Sequence, residues 1–131
     1  MWKLAVPLVA ALLSSCATLD RELALGVADT ARNETLAFRA DPTFAAGMSG
    51  REWRRLARAE ARALDFVSGG NSLPWGQPNA RARGTVEVPQ PFAVGARECR
   101  RFRHAVTVRG RRDTVTGVAC REGQEPWSYV S

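Results

Sequence analysis

The chain has 131 residues, with 19 basic and 13 acidic side chains and a formal net charge of +6 at neutral pH. That length allows one domain built on one modest core. A single histidine and three cysteines without a Cys-x-x-Cys spacing do not make a structural zinc site. With no Ser-His-Asp order or carboxylate pair either, no catalytic residue, metal or cofactor is expected, and the chain does not read as an enzyme.

Lys3 gives a short positive start, and Leu4 to Leu13 is an apolar run of ten residues interrupted only by Pro7. A bilayer span needs about 20 apolar residues, whereas the core of a secretory signal needs about 7–15. The run leads into Leu13-Ser14-Ser15-Cys16, which resembles a bacterial lipobox. The resemblance implies a signal peptide over residues 1–15, with Cys16 lipidated (a palmitate-type modification) as the first mature residue. Ordinary cleavage after Ala17 is the alternative, since Ser15 and Ala17 are both small. Ala17, rather than Asp, after the cysteine implies the outer membrane. Each buried lipid methylene anchors by about 0.8 kcal/mol. From Cys16 onward the chain has 18 arginines, no lysine and 13 carboxylates, a balance of +5. A basic chain raises the question of nucleic acid, and export argues against it. The expected partners are the outer membrane itself, through the lipid, and peptidoglycan, lipopolysaccharide or envelope proteins.

Residues 16–47 read as the lipidated cysteine and a partly helical tether. Leu19, Leu23 and Val27 recur every four residues, and Asp41-Pro42 ends any helix there. The α+β domain is expected over residues 48–131. Its helix opens on a capping box, Ser49 with Glu52, and a hydrophobic staple, Met48 with Trp53. It should run to about Val67, ahead of Gly69-Gly70. Trp53, Leu56, Ala57, Ala63, Leu64 and Val67 then share an apolar face. Arg51, Arg54, Arg55, Arg58 and Arg62 gather on the opposite face. Such a stripe is either simply solvated or a contact for anionic headgroups or an anionic partner. Glu60 falls within the apolar face and is expected to pair with an arginine of the sheet.

From residue 71 the pattern turns to β, with Val, Thr and aromatic runs broken by Gly and Pro. Strands are predicted at Leu73–Trp75, Arg83–Val88, Arg97–Val108, Arg111–Arg121 and Trp127–Val130. The expected fold is α+β: one N-terminal helix packed on a small antiparallel sheet of four to five strands. Arg109-Gly110 is read as a two-residue hairpin loop, because Gly tolerates the positive φ such loops need. Val108 then faces Arg111. Nine residues back along one strand and nine forward along the other, Cys99 faces Cys120. Directly opposed Cβ atoms lie roughly 4.5–5.5 Å apart, so a disulfide needs only a modest adjustment. The same register puts Phe102, His104, Val106, Val115 and Ala119 on a core face. Arg101, Arg103, Thr107, Thr114 and Thr116 share the other face with the cystine. His104 differs from Cys99 in parity, which disfavours a Cys–His catalytic pair, and it is read as a partly buried packing residue.

Gly84-Thr85-Val86-Glu87-Val88-Pro89, Glu98-Cys99-Arg100-Arg101-Phe102, Gly117-Val118-Ala119-Cys120-Arg121, Gly123 and Trp127 together resemble the C-terminal domain of the rickettsial-type 17 kDa surface antigen family. Members are bacterial outer-membrane lipoproteins, and no catalytic residues come with the resemblance. It implies a structural or adaptor role in the cell envelope, facing the periplasm or the cell surface. The alternative is a periplasmic binder or inhibitor of a secreted enzyme. Residues 81–121 hold ten arginines against Glu87, Glu98 and Asp113, which favours anionic partners. The expected contacts are Arg51, Arg54, Arg55, Arg58 and Arg62 of the helix, with Arg101 and Arg103 of the sheet.

Overall fold

The computed structural model describes residues 31–66 and 69–131. Cys16 and the signal-like segment lie outside the described residues. Among the described residues, 31–34 are helical, and two helices and six strands then follow in chain order: α1 (Leu36–Ala40), α2 (Gly50–Phe66), β1 (Asn71–Trp75), β2 (Ala82–Val88), β3 (Phe92–Val94), β4 (Arg97–Val108), β5 (Arg111–Arg121) and β6 (Ser128–Tyr129).

α1 is short, and its ends are held by local polar groups. The Thr35 hydroxyl accepts from the Phe38 N–H at 3.2 Å and donates to the Arg32 carbonyl at 2.8 Å. Asp41 closes the helix, and its Oδ1 accepts from both the N–H and the hydroxyl of Thr43, a turn that Pro42 favours. α2 has the capping box expected of it. The Ser49 N–H donates to Glu52 Oε1 at 2.8 Å, and the Glu52 N–H donates to Ser49 Oγ at 3.2 Å. Trp53, Leu56, Ala59, Ala63 and Leu64 are buried on the inner side of α2.

The sheet is antiparallel with order β1-β2-β4-β5-β6, and β3 pairs with β4 beyond the end of β2. This is six strands rather than four to five, and α2 is not the N-terminal helix of the fold, since α1 precedes it. β3 is the added strand. Pro89 and Pro91 precede it and have no N–H to give a ladder, so the pairing breaks after β2. It resumes one residue out of step: Glu87 faces Arg103, but Phe92 faces Cys99. A three-residue run between proline and glycine carries too little pattern to announce itself.

β4 and β5 form the expected hairpin. Arg109 (φ 50°) and Gly110 (φ 80°) make the loop, Val108 faces Arg111, and Cys99 faces and is bonded to Cys120. Phe102, His104, Val106, Val115 and Ala119 are all buried on the inner face, joined by Val86 and Val88 of β2. Gly117 faces Phe102, and a Cβ there would meet Phe102 Cζ at 2.5 Å, so the aromatic ring occupies the space a side chain would take. α2 covers the β1–β2 side of this face, while α1 lies against β5 and β6. Leu36, Ala37, Phe44 and Ala45 are buried in the same core, so residues 35–45, which read as tether in the sequence, pack as part of the body.

Glu52 is drawn in two directions. Burial pushes its carboxyl up, but the Arg81 guanidinium and the Ser49 N–H and hydroxyl outweigh that and hold it below its ordinary 4.5. A carboxyl lowered in the folded state adds stability above its unfolded pKa, and that stability is lost as the pH falls through the folded value. Glu52→Gln should therefore flatten the loss of stability on acidification below about pH 4.5, read from urea melts across that range. A parallel slope in both proteins would contradict it. Closure of the 21-residue separation by the cystine should contribute about 3 kcal/mol. Cys99→Ser should then lower the melting temperature by roughly 10–20 °C. An identical curve with and without reductant would show that the bond contributes nothing.

Candidate functional site

The most enclosed polar pair in the described core is Glu60 with His104. Glu60, on the inner side of α2, is 5% exposed and His104, on β4, is 0% exposed. His104 Nε2 lies 3.0 Å from Glu60 Oε1. The Leu36 N–H donates to Glu60 Oε2 at 2.9 Å and the Ala37 N–H donates to Oε1 at 3.0 Å. With Nε2–H as the third donor, the Glu60 carboxylate satisfies all three contacts. Phe44 and Phe102 stand against the imidazole with ring centroids 6.0 Å away in each case. The pair acts as a tie between α1, α2 and β4.

Two sequence expectations change here. Glu60 pairs with His104 and two backbone amides, not with an arginine of the sheet. His104 is fully buried and hydrogen-bonded, not a partly buried packing residue. The reason is Arg100, the inward-facing arginine nearest the helix, whose Nη1 donates to the Leu64 carbonyl at 2.7 Å. Its Nη2 donates to the Pro89 carbonyl at 3.3 Å. It therefore serves the C-terminal end of α2, where the helix dipole favours a cation.

Arg121 plays the matching role one strand over. It meets Asp65 Oδ1 at 3.0 Å and Glu98 Oε2 at 3.5 Å, and its guanidinium sits 4.4 Å from the Trp127 ring centroid. Trp127 Nε1 donates to Asp65 Oδ1 at 2.9 Å. This cluster is invisible to sequence reasoning except through the repeated Cys-Arg pair. Because side chains alternate along a strand, each cysteine faces outward and each following arginine faces the helix.

The candidate contact arginines fall into two separate sets. Arg51, Arg55, Arg58 and Arg62 are exposed on the outward side of α2, and Arg54 is half-buried beside them. None of the five forms a salt bridge with a carboxylate among the described residues. Arg101 and Arg103 point from the opposite side of the molecule, away from the helices. Arg101 stacks over Phe92 at 5.7 Å, and Arg103 pairs with Glu87 at 3.5 Å with both side chains about half exposed. The fold thus brings Cys99 and Cys120 together and keeps the two arginine sets apart. Arg81, counted among the basic residues of the β region, is engaged by Glu52. Among the described residues no group of three or more His, Cys, Asp or Glu side chains is placed to hold a metal ion.

Removal of Glu60 should be costly, because it leaves three buried donors without an acceptor. Glu60→Ala should destabilise by about 3–5 kcal/mol, and Glu60→Gln by less, since an amide oxygen keeps part of the acceptor set. Chemical denaturation measures both. Equal and small losses would mean that the three contacts carry no weight.

A family model described as 17 kDa outer membrane surface antigen matches residues 62–128, just over half of the chain, from the end of α2 into β6. Two curated relatives, each named 17 kDa surface antigen, come from Rickettsia bellii (strain RML369-C) and Rickettsia bellii. Each is 28% identical over 87 residues, a stretch that covers 66% of this chain and 55% of the relative. The chain thus spans about half the length of the curated relatives it matches. No solved structure matches it. The matched region contains both Cys-Arg strands, the hairpin turn and Trp127, the same parts that fasten the sheet to α2, and the chain belongs to the 17 kDa outer membrane surface antigen family.

Proposed function

We propose that this protein is a lipid-anchored lipoprotein of the bacterial outer membrane, with a structural or adaptor role in the cell envelope. Cys16 would carry the lipid, and the stapled α+β body would be presented at the periplasmic or cell-surface side. The family name supports an outer-membrane, surface-exposed setting. No described helix is long and apolar enough to cross a membrane.

The observation that carries the proposal is the outward face of α2. Five arginines lie along a 17-residue helix, and none is neutralised by a carboxylate among the described residues. Such a helix is about 25 Å long, so the stripe presents a line of charge rather than a point. Each basic side chain near an anionic surface contributes about 1 kcal/mol, and the attraction decays within a Debye length. The stripe would thus hold the body flat against an anionic envelope surface once the lipid keeps it near.

The test uses the unacylated full chain with vesicles containing phosphatidylglycerol. Arg54→Ala, Arg55→Ala and Arg58→Ala together should weaken binding about a hundredfold, and added salt should weaken the wild type. Binding that ignores both would remove the adaptor reading. For the anchor, the intact mass of protein extracted from native membranes should show a lipid increment on a chain that starts at Cys16. An unmodified chain would remove that part.

A further inference from the structure

The outer face of the sheet, on the side away from α2, holds a cleft of about 310 Å³ at the corner formed by β1, β2, β4 and β5. Its floor is set by strand register. Arg83, Thr107 and Arg112 form one row across β2, β4 and β5. Pro74, Thr85 and Ala105 form the row beside it. Neighbouring strands lie about 4.8 Å apart, so the Arg83 and Arg112 backbones are roughly 10 Å apart with the Thr107 side chain between them. Two long guanidinium side chains at that spacing can converge over a threonine hydroxyl. The titratable side chains that line the cleft are these two arginines, with no carboxylate among them.

The cleft has a constructed wall. Arg83 Nη1 donates to the Ala80 carbonyl at 3.1 Å, which fixes one guanidinium edge against the β1–β2 loop. That loop comes so close because of Gly76. Its φ is +80°, and a Cβ there would lie 2.9 Å from the Ala82 carbonyl and 3.0 Å from Arg83 Cα. The bare glycine lets Pro78 form the rim opposite Pro74.

We propose that this cleft binds the phosphomonoester group of a small soluble ligand, clamped by Arg83 and Arg112 above the Thr85 and Thr107 hydroxyls. Two cations, one of them held against the loop, and two hydroxyl donors match a dianion with three terminal oxygens better than a carboxylate with two. The volume is near the lower end for ligand clefts, which suits a phosphate on a small body. The site stands on its own residues. Only its orientation, toward the aqueous side while the α2 stripe meets the membrane surface, rests on the function proposed above, and that orientation is what favours a soluble ligand over a lipid headgroup.

The experiment is a ¹H–¹⁵N NMR titration of the oxidised full chain with inorganic phosphate and with glycerol 3-phosphate, at constant ionic strength. Saturable shifts should appear at Thr85, Thr107 and Arg112 and leave the amides of residues 51–62 in place. Arg112→Ala should weaken binding by at least about tenfold with no change in melting temperature. Thr107→Val, which keeps the side-chain shape and removes the hydroxyl, should weaken it less. Absence of saturation would overturn the site. So would shifts centred on residues 51–62, or binding that survives Arg83→Ala with Arg112→Ala. Shifts with phosphatidic acid vesicles but not with either soluble ligand would overturn the soluble source. Loss of vesicle binding in the α2 variants, with phosphate shifts intact, would leave this cleft standing apart from the adaptor reading.

Discussion

The fold is organised around the buried carboxylate of Glu60. Glu60 accepts from the first two backbone amides of α1 and from the imidazole of His104, so one side chain of α2 holds a second helix and the central strand of the sheet. An isolated five-residue helix is far too short to persist in water. α1 exists because its orphan N–H groups, which every helix leaves at its start, meet a fixed acceptor in the core. With α1 in place, Leu36, Ala37 and Phe44 close the inner face of the sheet over β5. A buried charge is weak evidence for net stability, since its desolvation cost is high. Its contribution here is register: one carboxylate ties α1, α2 and β4 together at a single point.

The hairpin solves a different problem, how to fasten a sheet at one end of a helix. Strand alternation lets one dipeptide act on two faces. Cys99 and Cys120 join β4 to β5 on the outer side, while Arg100 and Arg121 reach across to the last turn of α2 on the inner side. A cross-link and two charge-assisted contacts therefore act within the same few ångströms of backbone. A shift of either strand by one residue would exchange the faces, sending the cysteines toward the helix and the arginines into solvent.

Much of this was legible in the sequence, and the residues show where legibility stops. Arg109-Gly110 fixed the turn, and one turn fixes every pair in a hairpin, so the disulfide and the inner face followed. The Ser49–Glu52 box fixed the start of α2, and helical periodicity fixed its arginine stripe. These are local signals. The Glu60–His104 pair spans 44 residues and neither strand nor helix period points to it. α1 has no amphipathic pattern of its own to find, because tertiary hydrogen bonds hold it. β3 is hidden by Pro89 and Pro91, which mark a break in pairing but not its resumption one residue later. The arginines of the Cys-Arg pairs were visible as charges, and only the packed helix end shows what they hold.

The separation of the two basic surfaces follows from the layer geometry and has an electrostatic consequence. A helix packed on a sheet places their centres about 10 Å apart, and outward side chains extend several ångströms beyond each layer. The α2 stripe and the outer-face arginines are thus roughly 20 Å apart, more than two Debye lengths at about 8 Å in physiological salt. Charge neutralised on one side leaves the potential on the other almost unchanged. Between them lies the core, whose charged groups are engaged internally: Glu60 by three donors and Arg100 by the Leu64 and Pro89 carbonyls. A body of this size can therefore meet an anionic surface with its helix and still offer a cationic sheet face to the opposite side.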